Sequence, residues 1–254
     1  MLSLVIGAIY LSIPLDRIEA IPRQERQEIV IWPEKKPLGW TERQWVPGES
    51  FIDPQGRPWK VTSTSKGEVV VWSDPNLLSC TSDPVLSQEG FPFSFHLSFE
   101  NKLGTIVLIY DQREALQASY WQEALGEQGY QVEMVAHEAA RRGQIRKAKE
   151  AGPLAILRLQ ESDLWNWQDE EGKDRVIFLL DRHPRMDSNL SFLLRWQEEI
   201  PEHLRAVIIF CRQSYGQHFF PRSVDIMVPS RLSKQDIEVL STSLISALNP
   251  FLDE

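Results

Sequence analysis

A thiol and an imidazole in this chain sit where nucleophilic chemistry could be built. Cys211 closes the apolar run AVIIFC (206–211), and His183 follows the apolar run RVIFLL (175–180) with Asp181 between. If both runs are neighbouring strands, the imidazole can lower the thiol pKa and later protonate a leaving group. On that reading Cys211, His183 and Asp181 are the catalytic set of a hydrolase. The competing reading is a buried, inert cysteine at the end of a core strand.

The same placement recurs along the chain. Polar segments follow five apolar runs: Asp111-Gln112-Arg113, His137-Glu138, Gln160-Glu161-Ser162-Asp163, Asp181-Arg182-His183 and Cys211-Arg212-Gln213. Open α/β sheets bind ligands beyond the carboxyl ends of their strands. This marks Asp111, Arg113, His137, Asp163, Arg182 and Arg212 as a candidate ligand rim. Loops are also polar because their backbones meet water.

Phosphate chemistry is poorly served. The sequence after the first run of the C-terminal part is Tyr110-Asp111-Gln112-Arg113-Glu114, without the glycines of a dinucleotide fingerprint, and no Walker A loop occurs. Side chains there would keep the backbone from a pyrophosphate. No cofactor is expected. With Cys80 and Cys211 alone and no CxxC, no metal site is expected either. Arg142, Arg146 and Lys149 share one face of a helix expected over 138–150, where they could contact RNA or another polyanion. A solvated helix face accounts for them equally simply.

These positions depend on the elements that carry them. From residue 103 onward, apolar runs at 105–110, 130–136, 154–159, 175–180, 206–211 and 224–228 alternate with helical stretches at 113–127, 138–150, 188–199 and 233–248. The helix over 113–127 is expected to bury Leu116, Tyr120 and Ala124, flanked by Trp121 and Leu125. Ser233 reads as an N-cap. The segment between the third and fourth runs, with Trp165 and Trp167, reads as a hairpin or loop. Such alternation predicts an α/β fold: a Rossmann-like three-layer domain with a mostly parallel sheet, helices on both faces and right-handed crossovers.

Residues 1–100 hold ten of the 16 prolines, so long helices have little room. Glu28–Trp32, Ser50–Asp53, Trp59–Thr64 and Glu68–Ser73 read as short strands. Pro54-Gln55-Gly56-Arg57 and Ser65-Lys66-Gly67 read as turns. The expectation is a small Pro/Trp-rich antiparallel β domain over 1–90, either an open sheet or a partly open barrel. A linker or edge strand follows over 91–102, and the Rossmann-like domain over 103–254. Ser79–Gly90 is polar and loop-like. Met1–Leu15 is apolar but lacks a basic leader, so it reads as a buried strand rather than a targeting segment. Nine tryptophans, five of them at positions 32, 40, 45, 59 and 72, suit either a junction between the two parts or an aromatic binding surface.

Three partial resemblances overlie this pattern. The order strand, His183, helix, strand, Cys211 over about residues 175–215 resembles caspase-like cysteine peptidases, which implies a thiol hydrolase. It departs from them at Pro184, where the family has glycine, and at Phe210, where it has a small or acidic residue. The stretch from Thr105 to Leu164, with TIVLIY, Ala118, Leu125, Gly129 and IRKAKEAGPLAILRL, resembles the anticodon-binding domain of class II aminoacyl-tRNA synthetases. It is also similar to TIR-type domains, with Trp165 near their usual tryptophan. That likeness implies a nucleotide hydrolase, although Glu170 and Glu171 stand in a different context from the family's catalytic glutamate. The chain is assigned to none of the three.

The bulk numbers narrow the classes. The 254 residues are 42% hydrophobic and 25% charged, with a formal charge of −9. Residues 1–100 carry 9 basic and 13 acidic side chains and the remainder 18 and 23, so neither part is cationic enough for broad nucleic-acid binding. Sparse cysteine suits a reducing cytoplasm, and no membrane association is expected. Without a complete catalytic motif, the sequence favours a non-catalytic interaction or accessory subunit of a larger, RNA-containing assembly with protein partners. The alternatives are a ligand-sensing α/β domain or a thiol- or nucleotide-cleaving hydrolase at the strand ends.

Overall fold

The computed structural model describes residues 26–77, 104–137, 153–160, 166–181, 186–211, 222–229 and 232–249. The expected strand at Met1–Leu15, the linker and the helix over 138–150 lie outside them.

The N-terminal strands are β1 (Gln27–Ile31), β2 (Lys36–Thr41), β3 (Ser50–Ile52), β4 (Pro58–Ser65) and β5 (Glu68–Ser73). After these come β6 (Thr105–Tyr110), α1 (Ala115–Glu127), β7 (Gln131–Ala136), β8 (Ala155–Gln160), β9 (Ile177–Asp181), α2 (Met186–Glu199), β10 (Val207–Cys211), β11 (Ser223–Met227) and α3 (Lys234–Leu248). Local chemistry explains the ends. Gly67 takes φ +84° in the two-residue turn between β4 and β5. Ser233 and Asp236 form a reciprocal capping box at the start of α3. Buried Asp53 receives the N–H groups of Gln55 and Arg57, the Arg57 guanidinium and the Trp59 indole N–H, which fixes the turn before β4.

The sheet corrects the expected three-layer, mostly parallel Rossmann-like fold. Among the described residues, eleven strands form one mixed sheet in the order β2-β1-β5-β4-β3-β10-β9-β11-β8-β6-β7. Five of its ten pairings are antiparallel. The N-terminal strands are not a separate sheet, because β3 pairs with β10 through Ile52↔Ile208 and Phe51↔Ile209. The polarity reverses in the C-terminal part: β11 runs parallel to β8 but antiparallel to β9. Apolar runs fix strand existence, but they carry no information on strand direction.

The layers differ from the expectation as well. Among the described residues, α1, α2 and α3 all contribute to one core on one face of the sheet, around Trp121, Trp196, Phe178 and Leu244. The alternate side chains of β9 and β10, namely Ile177, Leu179, Val207 and Ile209, join a second core with Phe51, Trp45 and Trp167. On α1 the buried residues are Ala118, Trp121, Ala124 and Leu125, whereas Leu116 is 63% exposed. The helix is thus rotated from the stripe that Leu116 and Tyr120 suggested.

The second core is enclosed because the strip of strands curls back on itself. The segment leading into β9 bonds to the far edge strand β2: Trp40 and Gln168 exchange backbone hydrogen bonds of 2.8 Å in both directions. The Thr41 hydroxyl donates to the Asn166 carbonyl, and Arg175 N–H donates to the Trp167 carbonyl. Trp167 fills the interior 5.1 Å from the Phe51 ring and 6.4 Å from that of Trp45. Trp45, Trp59 and Trp167 thus serve the junction between the two parts of the chain. β2 was not legible as a strand because it contains Pro37 and Gly39. An edge strand tolerates the proline, and the glycine sits where the backbone of Gln168 passes. Among the described residues, no helix is long and apolar enough to cross a membrane.

Candidate functional site

The reversal at β11 divides the expected rim in two. β7, β6, β8 and β11 are mutually parallel, so their carboxyl ends share one side of the sheet. β9 and β10 point the other way, and their carboxyl ends, Asp181 and Cys211, lie opposite. Asp111, Asp181 and Cys211 therefore do not line one pocket.

On the first side, Asp111 follows β6 and His137 follows β7, with Tyr110 and Ala136 in register before them. The His137 Nδ1 stands 3.5 Å from Asp111 Oδ2. Arg113 is exposed in the same loop. Glu114 is buried and its Oε2 accepts the Asp111 N–H at 3.0 Å. Asp111, Arg113 and His137, which the sequence groups, lie at the ends of β6 and β7, while Glu114 beside them is a buried carboxylate at a helix start, which leaves no periodic signal in the sequence.

On the opposite side, Cys211 and Asp181 are direct neighbours on β10 and β9. Both are buried, at 4% and 1% exposure. Burial pushes the Cys211 thiol up to about 12, with Asp181, Asp225 and Glu49 adding to the rise and Arg43 opposing it. A thiol in that environment is protonated and weakly nucleophilic near neutrality. His183 lies outside the described residues, as do Asp163, Arg182, Arg212, Arg142, Arg146 and Lys149.

The charges around Cys211 were not anticipated. Arg158 on β8 grips Asp225 on neighbouring β11 through two hydrogen bonds, the Nε one at 2.6 Å. Arg43 pairs with Glu49 at 2.6 Å and lies 4.1 Å over the Trp45 ring. The signal was present in LAILRL and VDIM, where one charge interrupts each apolar strand. A buried charge demands a partner, and two such interruptions of opposite sign predict each other. Among the described residues no group of three His, Cys, Asp or Glu side chains could hold a metal.

A third feature lies on the N-terminal strands. Trp32 and Trp72 are 45% and 48% exposed. β1 and β5 are parallel, with Ile31 opposite Val71, and Trp32 N–H donates to the Val71 carbonyl, so Trp32 and Trp72 follow corresponding positions of neighbouring strands. Lys60 is directly opposite Trp72. Glu28 and Glu68 pair at the other end of the same face. Since Ile52 in this sheet belongs to the helical core, this is the helix-bearing face continued past the end of the helical layer. The chain matches no known protein-family model and no curated protein at a significant level.

Proposed function

We propose that this protein is a non-catalytic interaction subunit that docks a partner polypeptide on the face carrying Trp32 and Trp72. The observation that carries this reading is the pair of adjacent, half-exposed tryptophans. Tryptophan is the residue type most enriched among energetic anchors of protein interfaces, and a folded chain gains nothing by leaving two of them in water. The charges on this face favour a polypeptide over a nucleic acid. Lys60 is offset by Glu28 and Glu68, and a phosphate backbone needs a net cationic surface. An RNA contact through Arg142, Arg146 and Lys149 elsewhere in the same assembly rests on the sequence, as does a cytoplasmic location inferred from sparse cysteine. The hydrolase reading is weakened by the buried, protonated state of Cys211.

Native mass spectrometry of complexes isolated from the source cells tests the proposal, with wild type beside Trp32→Ala/Trp72→Ala. A defined protein partner should accompany the wild type in fixed stoichiometry and be lost from the double variant, whose circular dichroism is unchanged. Isolation of the wild type alone, or retention of the partner by the variant, overturns the assignment.

A further inference from the structure

We propose that two copies of this chain associate edge to edge through β7, whose outer side pairs with no strand among the described residues. This inference is independent of the tryptophan face, which lies toward the other end of the sheet. The two sheet edges are built differently. β2 carries Pro37, pairs with β1 across a register shift and is bonded to the 166–168 segment. β7 has no proline and keeps six residues in unbroken register with β6, so Glu133 is its one blunting device. The Gln131 N–H donates to the Gly104 carbonyl on the β6 side. Backbone groups alternate in direction along a strand, so those of Val132, Met134 and Ala136 point outward from the edge.

The strand and the helix above it both suit a second copy. A two-fold axis normal to the sheet pairs β7 antiparallel with itself, and it must pass beside a residue, because directly opposite side chains share a face. Centred on Met134, it sets Met134 opposite its counterpart, Glu133 opposite Val135 and Val132 opposite Ala136, and the outward residues exchange hydrogen bonds in pairs. Centred on Glu133, it would oppose like charges, and any other centre shortens the pairing. α1 fits the same axis. It lies over β7 and β6 and buries Ala118, Trp121, Ala124 and Leu125. Glu123 and Tyr120 on one flank meet Lys234 of α3. The opposite flank, turned toward the β7 edge, carries Ala115, Ser119, Gln122 and Gly126, all exposed. With strands about 4.8 Å apart, a helix over the β6–β7 boundary stands about 10 Å from its two-fold copy, at the spacing of packed helices. The short side chains of that flank leave room for the approach.

Sedimentation equilibrium of the full chain should show a dimer at about 50 μM. Gly126→Arg should raise the dimer dissociation constant at least about tenfold. Its Cβ meets nothing within 4 Å in the single chain and arginine is the better helix former, so circular dichroism and Tm should not fall. Register is read separately by oxidative cross-linking in a Cys80→Ser background. Met134→Cys should give a disulfide joining the two copies at that position, and Gln131→Cys should not. Trp32→Ala/Trp72→Ala should leave the dimer intact, which separates this surface from the tryptophan face. A monomer at that concentration overturns the proposal, even if a foreign protein occupies the edge instead. So does a higher oligomer, a dimer that tolerates Gly126→Arg, a dimer lost in the tryptophan variant, or cross-linking at position 131 as ready as at 134.

Discussion

Replacing Gly39 with alanine should loosen the seam that closes the curled strands, at a cost set by the backbone that passes its Cα. An added Cβ would lie 2.5 Å from the Gln168 carbonyl oxygen and 3.1 Å from the Trp167 indole nitrogen. The first obstacle is backbone and cannot rotate away. That carbonyl is held by Trp40 N–H at 2.8 Å, and the reciprocal bond is also 2.8 Å. Relief of the overlap therefore separates β2 from the 166–168 segment. Two hydrogen bonds at about 1 kcal/mol each and overpacking of about 1–3 kcal/mol give roughly 3–5 kcal/mol in total. In a chain of this size that lowers Tm by roughly 6–20 °C. Urea unfolding followed by tryptophan fluorescence is suited to the measurement because Trp167 is the side chain displaced. Gly48→Ala is the control. Gly48 also has positive φ, at +90°, but nothing lies within 4 Å of its Cβ position, so only about 1–2 kcal/mol of backbone strain applies. A Gly39→Ala midpoint equal to wild type, or no lower than that of Gly48→Ala, would refute the idea that β2 is sealed by close backbone approach.

Two further outcomes follow from titratable groups. Cys211 should resist iodoacetamide at pH 8 in the folded protein and react rapidly once urea unfolds it, because burial holds its pKa near 12; mass spectrometry showing fast native labelling would contradict that. Asp169 is pushed up by burial, but the Lys173 N–H, the Arg175 guanidinium and the Glu171 N–H outweigh this and hold its carboxyl below the usual value. A depressed folded pKa stabilises above the unfolded value of about 3.9 and is lost as pH falls through the folded one. Asp169→Asn should therefore flatten part of the acid limb of stability below about pH 4, and an unchanged limb in acid denaturation curves would count against the effect.

The strands were legible in the sequence wherever apolar runs were long. TIVLIY, AVIIFC and EVVVWS fold within a residue or two of where their composition places them. The capped start of α3 was legible for the same local reason. Direction and neighbour were not, because they are settled by contacts between distant segments. Nothing inside Val224–Val228 announces that this strand lies beside β8 and runs against β9. That single reversal separated Asp111 from Asp181 and Cys211 and removed the expected common rim. Asp111 and His137 survived as a pair because they close adjacent parallel strands joined by one short helix, a relation the local pattern does encode.

The pairing of β3 with β10 bears on how this polypeptide can be subdivided. Severing the chain near residue 100 would strip Phe51 and Ile52 of their neighbours Ile209 and Ile208 and take Trp167 away from the core it shares with β1 to β5. Each fragment would then present a raw strand margin and a greasy wall to water, the combination that drives self-association. Any dissection of its activities is better attempted by point substitution than by truncation, for the halves are built as each other's lining.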